Sequence, residues 1–180
     1  MFIQTETTPN PNSLKFFPGK KVSNDTPLEI TDKNITNNEL VRNILSINGV
    51  TGVFLASDFL SVNKKQNIEW EDLKHIIISL INDFYSNGAE LVIDKNNLDE
   101  KTKNFTDIEK KIINILDTKV RPAVARDGGD IKFREFKDGV VTVNLQGSCS
   151  GCPSSTMTLK KGVQNLLCHY IPEIKEVIAV

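Results

Sequence analysis

An α+β fold in two small domains is what this sequence predicts, and three observations predict it. The chain has 180 residues, which at about 100 to 200 residues per domain suits one large domain or two small ones. The polar, charged and aperiodic stretch from Asp94 to Asn104 reads as a linker between two apolar patterns. Beyond it the order of elements is helix, hairpin, cysteine loop, helix and strand, an α+β order. The expected division is therefore a first domain over residues 1–93, a linker over 94–104 and a second domain over 105–180.

Composition narrows the function classes. Hydrophobic residues at 39% and charged residues at 25% are those of a chain able to bury a core. Lys and Arg number 22 against 23 Asp and Glu, so no cation excess is available to neutralise a phosphate backbone, and no nucleic acid partner is expected. The densest apolar run, Ile76 to Ile81, is interrupted by Ser79 and falls short of the roughly 18 apolar residues of a membrane span. Met1 leads into polar, turn-forming sequence with neither a secretory nor an Arg-rich transit pattern, which points to a cytoplasm. Split at residue 105, the halves carry 11 basic and 14 acidic residues, then 11 basic and 9 acidic, or about −3 and +2.

In the first domain, Phe2 to Thr5 and Leu14 to Phe17 read as short strands joined by Thr8-Pro9-Asn10-Pro11-Asn12, a turn-forming run. A helix is expected from Asn38 to Ile47, ended by Gly49 in the left-handed conformation. Val50 to Ala56 and Phe59 to Asn63 flank Ser57-Asp58 as a hairpin, and Glu69 to Ser86 carries Leu73, Ile76, Ile77, Leu80, Ile81 and Phe84 at helical spacing as expected core residues. Trp70 and His75 read as packing or ordinary surface residues, because helical periodicity already accounts for their places.

The second domain opens on Thr106-Asp107-Ile108-Glu109, a capping box. The helix it starts continues or kinks at Arg121-Pro122 and stops at Asp127-Gly128-Gly129-Asp130. Ile131 to Phe136 and Val140 to Leu145 form a hairpin through Asp138-Gly139. Pro153 then begins a helix running to about Tyr170, with Met157, Val163, Leu166 and Leu167 on one face, and Glu176 to Val180 is a last strand.

Three cysteines, an odd number, argue against a disulfide framework and for a reducing compartment. Cys149 and Cys152 are spaced C-x-x-C in a Ser- and Gly-rich loop that suggests accessible thiols. As a redox pair, half of a zinc site, half of an iron-sulfur site or two inert thiols, they admit four readings. A thioredoxin-like pair follows a strand in a βαβ context, whereas the strand here belongs to a hairpin. A local four-ligand site with Cys168 and His169 fails on distance, since sixteen helical residues at ~1.5 Å put Cys168 about 24 Å beyond Cys152. Cys168 is then a small core residue and His169 a solvated or capping residue. Each chain thus offers two thiolates, and a symmetric dimer completes four; zinc and an iron-sulfur cluster both accept such a set. Gly147 and Gly151 let the backbone approach sulfur, and the first N–H groups of the following helix face the loop and favour an anionic group.

Val120-Arg121-Pro122-Ala123-Val124, Asp127-Gly128-Gly129-Asp130 and Gly147-Ser148-Cys149-Ser150-Gly151-Cys152-Pro153-Ser154-Ser155 together resemble closely the C-terminal domain of NifU-like proteins of the Nfu type. The stretches Thr8 to Phe16 and Gly49 to Phe59 are similar to the N-terminal domain that accompanies it. The resemblance implies a non-enzymatic iron-sulfur cluster carrier or scaffold. In it Cys149 and Cys152 of two subunits bind a 4Fe-4S cluster, a 2Fe-2S form being an alternative state. Its partners would be a second copy of the chain, upstream cluster assembly proteins and apo iron-sulfur clients, the first domain serving client recognition. The opening residues favour a bacterial cytoplasm, although a mature mitochondrial form would look the same. Rival readings from other classes are a C-x-x-C thiol-disulfide oxidoreductase and a zinc-stabilised interaction module.

Overall fold

The computed structural model describes residues 2–23, 27–91, 104–151 and 153–180, with the side chains of residues 153–155 excepted. The chain divides into two compact units, Met1–Lys95 and Asn96–Val180. Of the expected linker over 94–104, only Asn104 lies among the described residues. Both units combine helices with an antiparallel or mixed sheet, so the α+β class stands.

Among the described residues, unit 1 is a five-stranded antiparallel sheet with two helices. Its strands are β1 (Gln4–Thr7), β2 (Ser13–Phe17), β3 (Leu28–Ile30), β4 (Val50–Leu55) and β5 (Leu60–Lys64), in the order β1-β2-β5-β4-β3. Helices α1 (Glu39–Leu45) and α2 (Trp70–Ser86) bury Leu40, Val41 and Ile44, and Leu73, Ile77 and Ile81, in one core with Phe16, Val53, Leu60 and Val62. Strand β3 has no counterpart in the sequence reading, because three residues with Glu29 between Leu28 and Ile30 are too short to show alternation.

The first helix is shorter than its apolar spacing predicts. Asn38 caps it from outside, its side chain accepting a hydrogen bond from the Val41 N–H, and it closes at Leu45. Gly49 is not its terminator. With φ of 96° it serves the turn into β4, where a Cβ would lie 2.7 Å from Ile68 Cγ1. Trp70 packs as expected, its indole N–H donating to the Pro11 carbonyl at 2.9 Å with Lys64 Nζ 5.5 Å from the ring.

Tyr85, 4% exposed on α2, has a buried hydroxyl with no partner among the described residues, and burial pushes its phenol from 10.0 up to about 12. The folded form thus keeps its proton to higher pH than the unfolded chain, so this contribution to stability is complete below about pH 10 and fades as pH rises toward about 12. Alkaline thermal melting of Tyr85→Phe should show a shallower loss over that window than the parent protein. An identical slope in both would remove Tyr85 as its source. Lys20 Nζ lies 5.6 Å from the Tyr85 ring and is present in both proteins.

Unit 2 begins with α3 (Asp107–Ile115), where the capping box forms on both sides between Thr106 and Glu109. The helix continues through one π turn, Leu116–Val120, into α4 (Arg121–Arg126). Pro122 has no N–H to bond backward, and the Arg121 N–H reaches instead to the carbonyl of Leu116, five residues earlier. Gly128, with φ of 82°, turns the chain out of α4.

The sheet of unit 2 has the order β6-β7-β8, with β6 (Gly129–Lys137) antiparallel to β7 (Val140–Gly147) and β8 (Glu176–Ala179) parallel to it. Asp138 and Gly139, at φ of 52° and 84°, make the tight turn expected between β6 and β7. Both strands run further than their apolar alternation suggests, down to the pair Gly129–Gly147, because glycine carries no strand signal. Helix α5 (Pro153–Tyr170) crosses from β7 to β8 and seals the core with Val163 and Leu167. No helix among the described residues is long and apolar enough to cross a membrane.

Candidate functional site: the cysteine loop

The loop after β7 is held by bonds from its own residues. Gly147 turns it with φ of 64°, and the Ser150 N–H and hydroxyl both donate to the Gly147 carbonyl, at 3.1 and 2.8 Å. The Ser148 N–H donates to the Gly128 carbonyl at 3.1 Å and its hydroxyl to the Asp127 carbonyl, which fastens the loop to the turn between α4 and β6. From α5, the Thr156 hydroxyl donates to the Cys149 carbonyl at 3.2 Å. Gly151, at φ of 78°, takes the left-handed backbone that favours glycine.

Cys149 is 7% exposed and belongs to the core that includes Val124, Ile131 and Leu145. The loop's polar composition suggests an accessible thiol; the structure instead places this one inside. The reason lies across the sheet at Gly129. A Cβ there would stand 2.5 Å from Cys149 Sγ, 2.8 Å from the Gln146 carbonyl oxygen and 3.0 Å from the Cys149 nitrogen. The sulfur occupies the space that a side chain at residue 129 would fill. Cys152 lies outside the described residues.

The other candidates stand apart. Cys168 is half-buried near the far end of α5, its thiol donating to the Ile174 carbonyl at 3.2 Å, which fits the expected packing role. His169 is exposed, its ring edge-on to Tyr170 at 5.2 Å. Among the described residues, no three His, Cys, Asp or Glu side chains converge as a metal site.

A charged clamp lies one residue from the cradle. Arg121 Nε and Nη2 donate to the two carboxylate oxygens of Asp130 at 2.8 and 3.0 Å, and Nη1 donates to Asp117 at 3.0 Å. Asp130 is 2% exposed. The hydrogen bond to Asp130 is the main cause that raises the Arg121 pKa, against burial, so the guanidinium stays charged. In the sequence, Arg121 and Asp130 stand at a helix boundary and in a motif, with nothing that pairs them. The available signal was an ionic pair nine positions apart across a helix stop, a separation that no local periodicity rule covers.

Comparison with known proteins places this geometry. Residues 112–178 match the NifU-like domain family, and residues 3–88 match the family described as the scaffold protein Nfu/NifU N terminal. The human mitochondrial NFU1 iron-sulfur cluster scaffold homolog is 43% identical over 180 residues, covering 98% of this chain and 71% of that protein. The chain belongs to the Nfu family of NifU-like proteins. A second Nfu relative, the mitochondrial NifU-like protein 4 of Arabidopsis thaliana, is 41% identical over 98% of the chain, which spans 65% of that relative's length. A solution NMR structure of a NifU-like protein from Saccharomyces cerevisiae aligns with a TM-score of 0.48 and 30% identity, covering 53% of this chain and 87% of that one. The family read from the two motifs is therefore shown. Both the human and the Arabidopsis relatives are mitochondrial proteins, which lends the expected bacterial cytoplasm no support.

Proposed function

We propose that two copies of this chain hold one 4Fe-4S cluster between them as cargo, through Cys149 and Cys152 of each, and deliver it to apo iron-sulfur client proteins. The observation that carries this reading is Cys149 itself, a thiol fixed by neighbouring backbone and core in a family whose relatives are named iron-sulfur cluster scaffolds. Two thiolates per chain are half of a four-thiolate set, so the second copy supplies the rest. The protein acts without catalysing a reaction of its own, receives the cluster from upstream assembly proteins, and uses unit 1, which contains neither cysteine, to recognise clients. Its residence follows its relatives, as a mature mitochondrial form in place of a bacterial cytoplasmic one.

Anaerobic purification with iron, sulfide and mass determination tests this. About two iron and two sulfide per chain in a dimer is the expected result, and half that content would indicate a 2Fe-2S cargo. A loaded protein that stays monomeric overturns the shared site. Zinc without sulfide would select the interaction module, and dithiol-disulfide activity without metal the oxidoreductase.

A further inference from the structure

We infer that Gly129 and Ser148 are positioning residues that hold Cys149 Sγ in a preformed cradle, so that the ligand sulfur is placed before any cluster arrives. The inference rests on the carrier reading for its purpose and on the packing around Cys149 for its substance.

The Gly128-Gly129 doublet divides two tasks. Gly128 takes the left-handed backbone that ends α4, with φ of 82°, and one glycine suffices for that. Gly129 is the first residue of β6, paired with Gly147, where strand backbone imposes no demand for glycine. What it supplies is room. Of the three atoms a Cβ would meet within 3.0 Å, one is the Cys149 sulfur and two are backbone atoms of the segment carrying it, Gln146 O and Cys149 N. A methyl group there cannot be accommodated by a rotamer change alone; the loop must move away from β6, and the sulfur with it.

Ser148 opposes that movement from the other side. It is 3% exposed, directly precedes Cys149, and sends both its N–H and its hydroxyl into the two carbonyls at the end of α4. Those carbonyls belong to Asp127 and Gly128, the two residues that precede Gly129. The staple and the gap therefore act on the same few atoms. Ser148 pulls the loop against the turn, and Gly129 leaves the space into which Cys149 Sγ is drawn. A ligand already in place does not have to be ordered on binding, which lowers the cost of capturing a cluster.

The test is per-residue alkylation of the reduced, metal-free full chain by iodoacetamide, resolved by mass spectrometry, for the parent protein, Gly129→Ala and Ser148→Ala. Cys168, at the far end of α5, is the internal control. Cys149 should react at least tenfold faster in Gly129→Ala and several-fold faster in Ser148→Ala, with Cys168 unchanged in both. Ser148→Ala removes only one oxygen, so it decides the matter if Gly129→Ala does not fold. An unchanged Cys149 rate in folded variants overturns the inference, as does an equal acceleration of Cys168, which would mean general loosening. Anaerobic reconstitution of the same proteins separates the two readings. Faster Cys149 alkylation in the variants together with a parent protein that takes up no iron or sulfide would leave the cradle standing and overturn the carrier.

Discussion

Cys149→Ser and Cys152→Ser should each abolish bound iron and sulfide, while Cys168→Ser should retain the parent content. Under the carrier reading every loaded dimer needs all four thiolates, so one lost per chain removes half of the set. Cys168 sits near the opposite end of α5 with its thiol engaged by the Ile174 carbonyl, and no side chain bridges that length of helix. Cys149 carries a second expectation, because it is also a core residue. Replacement by alanine or by serine shrinks a buried residue, so Cys149→Ala and Cys149→Ser should both melt below the parent in the metal-free protein, although neither holds a cluster. Loss of iron in the Cys168 variant would contradict the ligand set, and melting equal to the parent in both Cys149 variants would contradict the core placement.

Removing either member of the Arg121–Asp130 clamp should destabilise unit 2 severely. Asp130 is nearly inaccessible and Arg121 about three-quarters covered, with side-chain exposures of 2% and 28%. Deleting Arg121 strands a carboxylate in a poorly solvated place, a change that typically costs about 3–5 kcal/mol. The partial exposure of Arg121 puts the expectation at the lower figure. For a domain of this size, that lowers the melting temperature by roughly 12–24 °C. Arg121→Lys should recover only part of the loss, since an ammonium is a point charge and cannot form the two-pronged contact with Asp130. The paired change Arg121→Met with Asp130→Leu should recover more than either single alanine, as it leaves no lone charge. Thermal melting followed by circular dichroism checks all four. A shift below about 2 °C for Arg121→Ala would mean that water already screens the pair.

The parts of this protein legible in its sequence are those governed by neighbours along the chain. The Thr106–Glu109 capping box, the Asp138-Gly139 turn and the apolar faces of α2 and α5 follow from local spacing, and each forms apart from Ile76 and Met157, which have the right spacing for those faces but are 48% and 59% exposed. The parts that were not legible depend on contacts across the fold. β3 is too short to show a period, and Gly49 occupies a turn against Ile68 that cannot be foreseen from the helix before it. Cys149 illustrates the point best. Its serine and glycine neighbours spell an open loop, but their hydroxyls and N–H groups bond inward and the sulfur follows them into the core. Gly129 was read as part of a helix stop, since nothing along the chain distinguishes a glycine needed for its dihedral angle from one needed for its emptiness.

Strand β7 is supported unequally along its length. From Val140 to Val143 it is flanked by β6 on one side and β8 on the other, whereas from Asn144 to Gly147 β6 is its one ladder partner. The tight turn pins the doubly flanked end, and the cysteine loop leaves from the singly flanked one. Fluctuations of a hairpin are largest away from its turn and where fewest strands adjoin it. Amide hydrogen exchange should accordingly slow along β7 toward Val140, and at the loop end the Ser148 bonds to the Asp127 and Gly128 carbonyls do what β8 does at the other end. The same strand is thus braced by a neighbouring strand where it carries the domain and by one serine where it carries the cysteine loop.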